Sequence, residues 1–268
     1  MDILVLKLTV TPILIGVSAL VGRRWGPGLG GWLVGIPFTS GPIALVLSIS
    51  QGWHFAGDTA VGTLAGTASE AVFCLAYALA ASSFTWRLSL TAGVAGFGGA
   101  TLALFRLPLS VAPALAIAAA GVALALALSP RPASGSAQPQ TGAPGGIRDI
   151  GARMVVATAV VLALTGAATL LGSTLTGLLA PFPIFGAVMM VFSQRRQGGS
   201  AGIAAARGLL WGLFGAALFF LVLATLLPRF GLIAFLPAVL ADLAAQGATL
   251  PLARQGWPVN GASPNAAA

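Results

Sequence analysis

The amino-acid sequence predicts an all-α integral membrane protein, with about nine transmembrane helices in two inverted-topology repeats whose helices are interrupted by Pro and Gly. Three observations carry this expectation. Apolar residues make up 57% of the chain and charged residues 7%, with a mean hydropathy of +0.98, a composition that would give a globular domain an insoluble surface. Apolar runs of membrane-spanning length follow one another, separated by short loops. The two halves also align without gaps at a constant offset of about 146 residues.

In order along the chain, spans are expected near 3–22, 29–50, 57–81, 88–105, 108–129, 150–171, 174–193, 200–227 and 231–252. The first lacks a basic leader and carries Lys7 within its apolar run, so it reads as a transmembrane segment rather than a signal peptide. Residues 1–129 form the first repeat, of about five spans. Residues 130–148 hold the Pro-, Gly- and Ser-rich linker PRPASGSAQPQTGAPGG, which cannot bury enough apolar surface to order itself. Residues 149–252 form the second repeat, and 253–268 a small, polar tail expected to be disordered.

The offset is carried by matched features. LGGWLVGIP (29–37) and LTGLLAPFP (175–183) share L-x-G-x-L-x-x-x-P; Gln51-Gly52 falls on Gln197-Gly198; AVGTLAG (60–66) and ARGLLWG (206–212) share A-x-G-x-L-x-G. Short cytoplasmic loops carry the excess of Lys and Arg. An external N-terminus puts Arg23, Arg24, Arg87, Arg131, Arg148, Arg153, Arg195, Arg196 and Arg254 in the cytoplasm and leaves Lys7, Arg106 and Arg229 outside. An odd number of spans before the linker then makes the second repeat enter the membrane in the opposite sense, with the C-terminus cytoplasmic. Matched breaks in inverted repeats mark binding sites in secondary transporters.

The first break carries hydroxyls, Thr39 and Ser40, between Pro37 and Pro42, whereas the second, APFPIFGAVMM with Pro181 and Pro183, is apolar. A proline removes a backbone donor and frees a carbonyl, tolerated at membrane depth only against protein, hydroxyls or a polar cavity. In the third span Asp58, Gly62, Gly66, Glu70 and Cys74 recur every fourth residue along one helical face. The glycines admit a close helix partner, and a carboxylate at the depth of Glu70 is paired, faces water or is protonated. Its counterpart face, Ala204, Gly208, Gly212, Ala216 and Phe220, keeps the packing surface and loses the acids. Arg207 either pairs with Glu70 or snorkels to the interface. Asp242 is the second intramembrane acid, and Trp25, Trp32 and Trp86 read as interface anchors.

One cysteine and one histidine exclude an intramolecular disulfide and a His/Cys metal cluster. The scattered arginines do not form a phosphate-binding face, and no GxxxxGK[ST] indicates a nucleotide, so neither nucleic acid nor nucleotide is an expected partner and no cofactor is implied. No G-x-S-x-G or metal constellation points to catalysis.

The segment RRWGPGLGGWLVGIPFTSGPIALVLSISQG with AVGTLAGTASEAVFCLAYA, and again GLLAPFPIFGAVMMVFSQRRQGGSAGIAAARGLLWGLFG, resembles the GlpM-like small bacterial inner-membrane proteins. The resemblance implies an inner-membrane location and a link to exopolysaccharide production, and it supplies no site residue. Two functions are expected from the sequence. One is a small secondary transporter or exporter of an amphipathic or weakly polar molecule, proton-coupled through Glu70. The other is a non-transporting accessory subunit for envelope or exopolysaccharide assembly that binds a partner membrane protein.

Overall fold

A computed structural model of the chain describes residues 26–37, 40–133, 155 and 172–255. The spans expected at 3–22 and 150–171, the linker from 134 onward and the tail beyond 255 lie outside the described residues, Val155 excepted. Among the described residues every regular element is helical: α1 (Pro27–Val34), α2 (Ser40–Ser50), α3 (Trp53–Ala81), α4 (Trp86–Phe105), α5 (Val111–Leu128), α6 (Gly172–Leu179), α7 (Ile184–Gln197), α8 (Gly199–Phe230), a 3-10 turn (Gly231–Ala234) and α9 (Phe235–Gln255). Five stretches are long and apolar enough to cross a membrane: Trp53–Ala81, Trp86–Phe105, Val111–Leu128, Ser173–Gln197 and Gly199–Ala253.

The spans expected at 29–50 and 174–193 are each broken into two half-helices. α1 stops at Val34 because Gly35 and Ile36 fold back in short bonds, Gly35 N–H to Trp32 O (3.1 Å) and Ile36 N–H to Leu33 O (3.3 Å), before Pro37 removes the next donor. α6 stops at Leu179, and an inverse γ-turn centred on Pro183 (φ −80°, ψ 64°) follows, closed by Ile184 N–H to Phe182 O at 2.8 Å. Prolines at matched positions therefore break both spans, with different turn geometry.

Long helices α3 and α8 form the centre and run antiparallel. Gly57 near the start of α3 meets Pro228 near the end of α8, while Tyr77 and Ala81 at the end of α3 meet Gly202 and Gly199 at the start of α8. Association of helices in lipid rests on close packing more than on the hydrophobic effect, so small residues decide which helices meet. α1 lies along α8, where a methyl group on Gly212 would stand 2.7 Å from Gly35 Cα, and α6 lies along α3, where one on Gly62 would stand 3.2 Å from Gly177 Cα. α4 flanks α3, α9 flanks α8, and α5 packs on α3 through Gly121 against Ala68.

The offset of 146 seen in the sequence recurs in space. Shifted by it, α1 to α4 fall on α6, α7, α8 and α9 within four residues at every boundary, and α5 has no counterpart among the described residues. Contacts follow the same rule: Gly62 with Thr174 O corresponds to Gly208 with Gly28 O, Gly177 with Thr59 O to Gly31 with Ala205 O, and Gly66 with Pro181 to Gly212 with Gly35. Gly52 (φ 89°) and Gly198 (φ 88°), also counterparts, both cap the long helices in a left-handed conformation that allows each preceding helix to turn back within two residues.

Two apolar clusters fill the ends of the bundle. One surrounds Phe73, Tyr77, Met190 and Leu209, the other Leu64, Phe220, Leu223 and Leu227. The outer faces of α4, α5 and α9 display Leu102, Leu124, Leu128, Leu236 and Leu240, as helices bathed in lipid do.

Candidate functional site

The two breaks meet. Val34 to Pro37 of the first and Ala180 to Pro183 of the second enclose a cavity of about 30 Å³ together with Ser40, Thr67, Glu70, Gly186, Ala216 and Phe220. That is room for about two water molecules. Most of the lining falls into counterpart pairs: Val34 with Ala180, Gly35 with Pro181, Ile36 with Phe182, Pro37 with Pro183, Ser40 with Gly186 and Glu70 with Ala216. The cavity thus lies where the two halves exchange into one another.

Glycine spacing on α3 positions the carboxylate. A side chain at Gly62 would press on Thr174 O and Gly177, and one at Gly66 on Leu178 O (3.0 Å) and Pro181 Cγ (2.7 Å), so these glycines seat the end of α6. Glu70, one turn further on, comes level with the broken segment, 9% exposed. On α8 the same spacing, Gly208 then Gly212, seats the end of α1, and the next position, Ala216, is the apolar counterpart of Glu70 in the wall. The polar lining therefore belongs to one half: Ser40, Thr67 and Glu70 face Gly186, Leu213 and Ala216 at counterpart positions, of which Gly186 and Ala216 line the cavity. Thr67 Oγ1 donates to Thr63 O (3.2 Å), leaving its oxygen as an acceptor, and Glu70 has no ion-pair or hydrogen-bond partner among the described residues.

Of the residues singled out in the sequence, Pro37, Ser40, Glu70, Pro181 and Pro183 are brought together around the cavity. Pro42 lies in the first turn of α2, and Thr39 lies outside the described residues. Gly62, Gly66, Gly208 and Gly212 all pack helices, as their spacing suggests. Of the two alternatives for Arg207, the pair with Glu70 is not formed. Arg207 instead donates to Leu126 O (3.1 Å) and Ser129 O (2.9 Å), because the last carbonyls of α5 lack intrahelical donors and a guanidinium can satisfy two of them. Asp242 lies apart from the cavity, on α9.

Trp32 sits beside Gly208 and Gly212, and its Nε1 donates to Thr249 Oγ1 at 3.2 Å. Trp86 does begin a helix, with Arg87 and Arg195 stacked on its ring at 5.3 and 5.2 Å. The sequence reading missed a buried latch in which Tyr77 Oη donates to Gln194 Oε1 (2.7 Å) and Gln194 Nε2 donates to Phe84 O (2.9 Å). A lone Gln followed by two arginines at a helix end carries little signal of this. Gln246 was also missed, although Asp242, Gln246 and Thr249 share a helical face.

No protein-family model, curated protein or solved structure matches the chain.

Proposed function

We propose that the chain is a small secondary transporter or exporter of the bacterial inner membrane, moving a small amphipathic or weakly polar molecule, with Glu70 as its proton-coupling group. The observation that carries this reading is the meeting of two helix breaks around one carboxylate that has no partner among the described residues. Transporters built from inverted repeats bind their cargo near mid-membrane, between discontinuous helices of the two repeats.

Support for the inversion comes from the antiparallel course of α3 and α8. They are counterparts at offset 146, so a rotation that exchanges them has its axis across the helices, which is the plane of the membrane. α5, without a counterpart among the described residues, is the additional span that turns the second unit over. The arginine distribution then sets the N-terminus outside and the C-terminus in the cytoplasm.

The cavity accommodates water rather than cargo at its present size, so cargo passes when the half-helices separate. The first half-helix of each broken span rides on the long helix of the other half, α1 on α8 and α6 on α3, whereas the second packs on the long helix of its own half, α2 on α3 and α7 on α8. Movement of α1 against α8 and of α6 against α3 at these glycine-lined contacts opens the Glu70 cavity to one side and then the other. A proton on Glu70 neutralises the carboxylate while the cavity is closed to water.

Purified protein in proteoliposomes with an imposed pH gradient tests this. Wild type should carry protons or proton-driven solute, and Glu70→Gln should lower that flux at least tenfold. Equal flux in both would overturn the assignment of Glu70. The alternative reading, an accessory subunit for envelope or exopolysaccharide assembly, draws on the GlpM-like resemblance and on Gly98 and Gly99 of α4, against which nothing packs within 4 Å. Absence of any flux, with stable co-purification of a partner membrane protein, would select it.

A further inference from the structure

α9 carries a second buried polar group away from the cavity. Asp242 and Gln246, each 3% exposed, and Thr249, 8% exposed, occupy one face of the helix. Gln246 Nε2 donates to Gly212 O at 3.1 Å, and Thr249 Oγ1 donates to Gln246 O at 3.2 Å while accepting the Trp32 indole N–H. Two buried oxygens, Asp242 Oδ1 and Gln246 Oε1, complete no hydrogen bond of good geometry, and the Gln246 side chain lies against the carboxylate. A side chain at Gly215 of α8 would collide with Asp242 Oδ1 and stand 2.8 Å from Gln246 Nε2, so this glycine is what lets the acid and the amide lie against α8.

Buried acceptors are normally satisfied, and among the described residues no cationic side chain is bonded to these. Among the described residues, the elements packed on α9, which are α8, α1 and the 3-10 turn, carry Arg207 and Arg229 as their only titratable groups. Arg207 is engaged with α5, and Arg229 is exposed at the far end of α8. Arg254 on α9 itself lies about 18 Å along the helix from Asp242.

We propose that Asp242 and Gln246 form a binding site for one small monovalent cation, a proton or Na⁺, distinct from the Glu70 cavity. The carboxylate supplies the charge and the amide oxygen a second ligand, an all-oxygen pair that suits a hard ion and that a shared proton satisfies equally. Occupancy is linked to the cavity through Gln246. The amide holds Gly212 O, and Gly212 abuts Gly35, which lines the cavity at the first break. Consecutive residues of α8, Gly215 and Ala216, face the two sites, so the two acids flank one helix at one level. Binding at Asp242 requires no flux through the cavity.

The test is thermal unfolding of the full chain in detergent, with Na⁺ or choline as the cation, across a range of pH. In Glu70→Gln, which removes the proton-binding acid of the cavity, the protein should still be stabilised by Na⁺ at fixed pH if the site takes Na⁺, or by lowering the pH in choline if it takes a proton. Adding Asp242→Asn to Glu70→Gln should abolish that response, because the new amide supplies a donor to the site and fills it without a cation. Gln246→Glu, which keeps the helix and adds a second carboxylate, should strengthen the response at least tenfold in apparent affinity and serves if Asp242→Asn does not fold. A response unaltered in either variant, or no response of Glu70→Gln to either ion, would overturn the site.

Discussion

Gly62 and Gly208 occupy equivalent positions, yet substitution at the two should differ in cost. At Gly208 a methyl group runs into Gly28 O and stands 2.9 Å from Trp32 N, both backbone atoms that cannot move without shifting α1. At Gly62 the nearest atoms are Thr174 O at 3.1 Å and Gly177 Cα at 3.2 Å, a contact that a few tenths of an ångström relieves. Overpacking of this kind costs about 1–3 kcal/mol. Gly208→Ala should fall at the top of that range and Gly62→Ala at the bottom, with Gly98→Ala unchanged to within about 0.5 kcal/mol because nothing lies within 4 Å of it. Unfolding in mixed micelles reads all three. The order, rather than any single value, checks the packing, and equal costs at Gly98 and Gly208 would contradict it. The GxxxG spacing made these glycines legible as packing residues, since a helix face with no side chains has few other uses in lipid. What it left open was the partner. Four-residue spacing does not say that the glycines of each half seat the broken span of the other.

At the scale of elements, Arg207 shows why sequence reasoning left a charge open between a pair with Glu70 and the interface. Burying one cation and one anion at membrane depth suggests a pair, but α5 ends with free carbonyls at the level of Arg207, and these are equally good acceptors. Arg207 therefore acts as a C-terminal clamp on α5. Arg207→Leu should loosen α5 from α8 and cost about 1.5–3 kcal/mol, the range for hydrogen bonds to a charged group. It should leave Glu70-dependent proton flux intact, since the arginine makes no bond to that acid. Amide hydrogen exchange confined to the last turn of α5, rising in Arg207→Leu and less in Arg207→Lys, is the measurement. Faster exchange around Glu70 instead would indicate that the two charges are coupled after all. The breaks, by contrast, were legible because proline chemistry is local: Pro37 and Pro183 remove donors whatever packs around them. Their turn geometries were not, because Gly35 and the γ-turn at Pro183 depend on which helix each segment leans against.

For the whole molecule, the legible part was the pattern that repeats and the illegible part was the pattern that does not. The offset of 146 appears in Pro, Gly and Gln-Gly positions that every copy of the unit needs, and the helix boundaries follow it. Single departures from the repeat, such as Glu70 against Ala216 or Asp242 against Gly96, carry the polar groups, and sequence alone cannot rank one departure above another. The structure separates them by surroundings: Glu70 lines the cavity between the breaks, and Asp242 lies on the lateral face of α8. Inversion of the two units makes a demand on topology that a parallel duplication does not. Counterpart loop residues must lie on opposite sides of the membrane. Ser83, in the turn after α3, and Arg229, at the end of α8, are counterparts and both exposed, as Gln51 is exposed in the turn before α3. Cys74 is fully buried and can stay in place as an unreactive background. In intact cells and inverted membrane vesicles, Ser83→Cys should react with an impermeant maleimide from the cytoplasmic side. Arg229→Cys and Gln51→Cys should react from the outside. Labelling of Ser83→Cys and Arg229→Cys from the same side would remove the in-plane axis, and with it the alternating exposure of the Glu70 cavity.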